Sequence, residues 1–152
     1  MVDFLWKQTH VDPVFGVLVG RRGKWKGTIQ SNLFHQFGVP VWIVVADEDD
    51  WTARRVHFQQ VESHAETIRK QIEEQAFETF KAYEREEGDR LDYPYVQSPQ
   101  GMWALLKPVE WSFVPPSKHF KSQVILECGW PNPHWLVGYL DDAELYLLDV
   151  QG

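Results

Sequence analysis

Six histidines, His10, His35, His57, His64, His119 and His134, are the side chains of this 152-residue chain best suited to proton transfer or metal binding. A zinc site needs its ligands at helical or hairpin spacing. His57 and His64 have no Cys or carboxylate at a matching offset to complete one, and a helix break is expected between them. Asp47-Glu48-Asp49-Asp50 has the carboxylates of a calcium loop, but such a loop needs Gly at its sixth position and Glu at its twelfth, where this chain has Thr52 and Phe58. The single cysteine, Cys128, sits in an apolar strand pattern and reads as inert core. Ser31, Ser63, Ser98, Ser112, Ser117 and Ser122 lack the glycine-flanked elbow of a hydrolase nucleophile. Gly16, Gly20, Gly23 and Gly27 fit neither a phosphate loop nor a dinucleotide fingerprint. No catalytic constellation is legible, and neither a metal nor a cofactor is expected.

Charge and aromatic content point instead towards binding. The formal net charge of -7 is uneven: residues 1–30 carry +3, residues 47–92 carry -7 and residues 93–152 carry -3. An acidic middle segment repels phosphate backbones, which argues against direct nucleic-acid binding, and it steers a basic protein surface. The chain has 8 Trp, 9 Phe and 5 Tyr, more than a core of this size requires, and Trp and Tyr also anchor interfaces. Trp25, Trp42, Trp111 and Trp130 fall in or against strands and read as core. Trp51, Trp103 and Trp135 fall at element boundaries, where a side chain is expected to be half exposed. A lone cysteine fits a reducing compartment. Met1-Val2-Asp3-Phe4-Leu5-Trp6 has no leader pattern, and no apolar run reaches membrane-spanning length, so a cytoplasmic protein is expected.

The elements that must position these residues read as one α+β domain over residues 1–152. Val14–Val19 and Lys24–Gln30 form a hairpin around Arg21-Arg22-Gly23, and Val41–Ala46 is a buried strand. Thr52 is expected to cap a short helix to about Gln60. Ser63 and Glu66 make a capping box for a longer helix ending near Gly88, with Ala65, Ile68, Ile72, Ala76, Phe80 and Tyr83 on one face. Gly101–Lys107 reads as a short helix stopped by Pro108. Val109–Val114, Gln123–Cys128, Trp135–Tyr139 and Glu144–Asp149 are strands separated by Pro115-Pro116, Trp130-Pro131-Asn132-Pro133 and Asp141-Asp142. The expected architecture is a mostly antiparallel sheet with the helices on one face.

Two stretches carry a family likeness: Asp12-Pro13-Val14-Phe15-Gly16-Val17-Leu18 followed by Trp25 and Gly27, and Cys128-Gly129-Trp130-Pro131-Asn132-Pro133-His134 leading into Val137-Gly138-Tyr139-Leu140-Asp141-Asp142. In both, the chain resembles small bacterial domains that recur beside polymorphic toxin genes and are suspected to include immunity proteins. Relatives tend to read Trp-Asp-x-Glu-His-Gly-x-Gly in the second stretch. Here Pro131 replaces the Asp, Pro133 the Glu, and Trp135 and Val137 the glycines. A Glu beside the His would orient an imidazole or hold a metal, and prolines cannot.

The resemblance implies an immunity role in bacterial competition of the type VI secretion or toxin-antitoxin kind. The expected function is accordingly a cytoplasmic protein that binds and neutralises a cognate toxin with a basic cleft by masking its active site, without acting as an enzyme. Its partner-binding residues are expected to be Asp47, Glu48, Asp49, Asp50 and Trp51, then Glu73, Glu74 and Glu78. Two alternatives stand beside it: an enzyme or small-ligand domain with a site around His134 and Asp141 or Glu127, and an effector adaptor or chaperone with an apolar groove.

Overall fold

A computed structural model describes residues 7–35, 37–114 and 119–151. The Met1–Trp6 segment, the Pro115-Pro116 break and Ser117 lie outside the described residues. Eight strands form one sheet in chain order. The first antiparallel meander comprises β1 (Gln8–Asp12), β2 (Gly16–Arg21), β3 (Lys24–Ile29) and β4 (Val39–Val44). The second comprises β5 (Leu106–Phe113), β6 (Ser122–Cys128), β7 (Trp135–Leu140) and β8 (Leu145–Gln151). They join through parallel pairing of β4 with β5, Val41 opposite Trp111. Parallel neighbours cannot be linked by a tight turn. The crossover is made by α1 (Glu48–Ser63), α2 (Ala65–Glu87) and a 3-10 turn at Pro99–Ala104.

The expected hairpin is β2–β3, closed by Arg22 at φ 52 and Gly23 at φ 76. Two consecutive left-handed residues match the twist of the flanking strands. Gly23 is doubly required, because a Cβ there would lie 2.1 Å from the Val45 carbonyl oxygen.

Strand alternation separates two faces. Val39, Val41, Ile43 and Val45 are buried towards the helices, as are Trp111, Phe113, Val124, Leu126, Leu136 and Leu140 from the second meander. On α2 the stripe Ile68, Ile72, Ala76 and Phe80 packs into the same core, fully buried. Each large side chain in that stripe contributes roughly 2 kcal/mol by leaving water. The expected α+β architecture, a mostly antiparallel sheet with a shorter and a longer helix packed against it, is the one observed.

Element starts differ from the expectation in instructive ways. α1 begins four residues before Thr52, because Asp47 is extended at φ -151 and accepts the Asp50 amide at 2.9 Å. Thr52 instead donates its hydroxyl back to the Glu48 carbonyl. Ser63 likewise bonds back to the Gln59 carbonyl and ends α1 rather than opening α2, which starts after His64 with no side-chain cap. Pro108 does not stop a helix. It lies inside β5, beside a shift of register between Pro108 and Glu110. Strand β1 had no counterpart in the sequence reading.

The β8 edge is closed from above. Gln71 and Gln75, one turn apart on α2, accept the Leu145 and Leu148 amides at 2.7 and 3.2 Å. Backbone donors otherwise free to pair with another chain are satisfied within this one.

Candidate functional site

The one Ser, His and Asp grouping among the described residues is assembled from three distant segments. α1 supplies His57, the start of β6 supplies Ser122, and the turn after β7 supplies Asp142. His57 Nδ1 lies 2.8 Å from Asp142 Oδ1, and His57 Nε2 lies 2.7 Å from Ser122 Oγ. Trp111 Nε1 donates to the same Ser122 oxygen at 2.9 Å, and Lys121 Nζ donates to Asp142 Oδ2 at 2.7 Å. One proton arrangement satisfies every group: Trp111 to Ser122, Ser122 to the unprotonated Nε2, and the Nδ1 proton to Asp142. Burial pushes the His57 pKa below its ordinary value, against the pull of Asp142. Burial alone would raise Asp142, but the Lys121 and His57 hydrogen bonds outweigh it and hold that carboxyl down.

These are the relationships of a nucleophile, a base and an orienting acid. Access is what they lack. Ser122 is 0% exposed, and its oxygen is already committed to the Trp111 indole. The arrangement therefore ties α1 to β5, β6 and the β7–β8 turn.

A second buried cluster does the same through Arg55, two residues before His57 on α1. Asp12 accepts the Val14 and Phe15 amides at 2.9 and 3.0 Å, and Arg55 Nε and Nη2 at 2.9 and 2.8 Å. Burial raises the Asp12 pKa, yet Arg55, the two amides and His10 together overcome it and hold the carboxyl at about 2. Arg55 also reaches Glu48 at 3.2 Å, and His10 stacks on Trp51 with ring centroids 4.5 Å apart.

Several of the acids and aromatics expected at a partner surface are engaged inside the fold. Trp51 is 8% exposed rather than half exposed, because the earlier helix start turns it onto His10 and Trp25. Asp47 caps α1, Glu48 pairs with Arg55, and Asp50 accepts the Ala46 amide at 2.7 Å. Glu73 is buried rather than on a solvated face and accepts the Trp103 indole N–H at 2.6 Å. Asp49, Glu74 and Glu78 are exposed. In the acidic run Asp47, Glu48 and Asp50 thus build the helix start, while Asp47, Glu48 and Asp49 all stay exposed.

The segment around His134 is likewise structural on its inner side. Trp130 packs edge-on against Phe80, and Asn132 Nδ2 and the Tyr93 hydroxyl both donate to Glu87. Burial and then the Glu87 carboxylate push the Tyr93 hydroxyl up to about 12. His134 is exposed, and β7 separates it from Asp141 by the length of a strand. Cys128 is buried, with its thiol pushed up to about 12 by burial, in keeping with an inert core role. Trp111 and Trp130 are core as expected, whereas Trp25 and Trp42 are half-buried.

Among the described residues no helix covers the face of the sheet opposite α1 and α2, although Phe120 packs on Tyr139 there with ring centroids 4.6 Å apart. Strand register places Lys24 opposite Val44 and Lys26 opposite Trp42 on that face, with Val17 and Val19 beside them on β2. The Lys26 ammonium lies 4.8 Å from the Trp42 ring centroid. Across the parallel seam the face continues through Ser112, Gln123 and Tyr139 to Leu147, flanked by Glu110, Glu127, Trp135 and Asp149. Val17 is 61% exposed and Leu147 44%. Asp12, Arg55 and the uncovered face escaped sequence reasoning. Asp12-Pro13 was a turn signal that would have placed the Asp12 carboxylate on the following amides.

Residues 14–142 match the family model described as a domain of unknown function, DUF6985, and the chain belongs to that family. No curated protein and no solved structure matches the chain.

Proposed function

We propose that this DUF6985 member is a binding protein that neutralises a cognate bacterial toxin in the cytoplasm by covering its active site. The observation that carries the reading is the uncovered sheet face, which presents Trp42, Trp135 and Tyr139 among charges of both signs. Eight strands about 4.8 Å apart give a face on the order of 30 Å by 20 Å. That is the scale of the roughly 800 Å² per partner in a stable complex. Half-buried aromatics rimmed by charge are the usual source of affinity in such contacts, and the order of the charges sets the register.

The sealed Ser122–His57–Asp142 grouping supports binding over turnover, since its hydroxyl has no route to a substrate. No helix among the described residues is long and apolar enough to cross a membrane. The net charge of -7 favours a partner whose cleft is basic, because the acidic field raises the encounter rate whichever face makes contact. The immunity role itself rests on the likeness carried by Asp12–Leu18 and Cys128–Asp142 to domains found beside toxin genes.

The test is to purify the chain with the product of the adjacent gene and measure both binding and toxin activity. Tight binding with inhibition is expected, weakened about thirtyfold or more by Trp42→Ala, as for a central aromatic anchor. Failure of that product to bind, or inhibition insensitive to Trp42, Trp135 and Tyr139 substitutions together, would remove the reading.

A further inference from the structure

A cleft of about 250 Å³ opens between the loop after β3, α2 and the 3-10 turn. Its walls are apolar, from Phe34, Phe37, Leu106 and Pro108, and its polar members are Arg69 and His35. No carboxylate lines it among the described residues. Pockets of this composition, apolar with one or two convergent polar groups, are the ordinary form of a small-ligand site.

Arg69 is held in a defined pose. Its Nη1 donates to the Leu33 carbonyl at 2.6 Å, and its guanidinium carbon lies 4.0 Å from the centroid of the Trp103 ring. Trp103 is fixed in turn by its indole N–H on Glu73. The Nε and Nη2 edge of Arg69 makes no hydrogen bond to any described residue. That edge carries two parallel N–H donors, the arrangement that matches the two oxygens of a carboxylate. Glu73 faces Arg69 electrostatically and balances its charge, so a ligand gains from fork geometry and from the aromatic wall more than from a strong field.

We propose that this cleft binds a carboxylate carried on a small planar apolar body, the carboxylate on the free edge of Arg69 and the ring against Phe37 beside Trp103. The chemistry is shared by a free aromatic acid and by the C-terminal aromatic residue of a peptide. The site is independent of the toxin-binding reading, and its test uses no toxin.

The test is a two-dimensional amide and indole NMR titration of the full chain with benzoate, with benzamide as the neutral isostere. Benzoate is expected to shift the Trp103 indole and Leu33 signals with a Kd of about 1 mM, the scale set by so few ligand atoms. Benzamide is expected to bind about tenfold more weakly, and Arg69→Lys to weaken benzoate about tenfold by losing the fork. Phe37→Ala, at an exposed position, gives a second reading of the same loss should Arg69→Lys perturb the fold. N-acetylphenylalanine binding more tightly than benzoate would identify a chain terminus as the source, and the reverse order a free acid. Equal binding of benzoate and benzamide, or benzoate shifts unaffected by both substitutions, would overturn the proposal.

Discussion

On the helix-covered face of the sheet, polar side chains meet in closed chains of hydrogen bonds, while on the opposite face they stand in rows with their charges outward. His57, Ser122 and Trp111 spend their ring nitrogens, hydroxyl and indole N–H on one another and on Asp142, which Lys121 also holds. Lys24, Lys26, Glu110 and Glu127 lie on strands whose neighbours leave them facing solvent or half-buried. The residue types of a catalytic triad are therefore present with the hydroxyl and imidazole buried. Buried polar groups are costly unless paired, and Ser122 spends its hydroxyl on His57 and Trp111.

The contrast can be broken most forcefully at Asp12. Asp12→Ala strands the Arg55 guanidinium and two amides, and a loss of about 3 kcal/mol in denaturant unfolding is expected. Ser122→Ala leaves the Trp111 donor and the His57 acceptor unpaired and is expected to cost about 2 kcal/mol. In a double-mutant cycle, Ser122→Ala and His57→Gln should couple by about 1 kcal/mol. A Ser122→Ala variant as stable as the parent would mean that the hydroxyl is not held by this network, and would reopen a chemical role.

The pH dependence follows from the direction of the His57 shift. Its folded pKa lies below the ordinary 6.5, so between those two values the unfolded chain holds the extra proton. Stability should fall as pH drops below about 6.5, by at most about 1.4 kcal/mol per pH unit from this group. His57→Gln should flatten that limb. The Asp142 carboxyl, held below its ordinary 3.8, contributes stability above that value that is lost only as pH falls further, through the folded pKa. An unchanged slope in the His57→Gln variant would show that another group titrates there.

The smallest effect on stability is expected on the open face. Lys24→Glu with Lys26→Glu should change unfolding free energy by no more than about 0.5 kcal/mol, as exposed charges do. The same pair should change the salt dependence of partner association, measured by stopped-flow or surface resonance kinetics. A large loss of stability there would mean that the face is covered in the folded protein.

Much of the fold was legible from local signals. The period of Ile68, Ile72, Ala76 and Phe80, the β-branched run at residues 41–45, and the Arg22-Gly23 turn each carry their structure in adjacent residues. Boundaries were less so, because Asp47 and Thr52 are both competent caps, and in the fold Asp47 takes the Asp50 amide while Thr52 bonds back to the Glu48 carbonyl. Strand β1 alternates weakly, with exposed Gln8 and Thr9, and owes its form to pairing with β2. The candidate sites were the least legible. Ser122 and Asp142 stand 65 and 85 residues from His57, so no spacing rule connects them.

By itself the sequence determined the α+β class, the acidic balance, the inert Cys128 and the lack of any local catalytic motif, since composition and short-range periodicity are properties of neighbouring residues. Only the tertiary structure decided which carboxylates are spent inside the fold, which histidine is enclosed, and which sheet face stays open. Those outcomes depend on the crossover through α1 and α2, which places the helices on one side of the sheet and leaves the other to water.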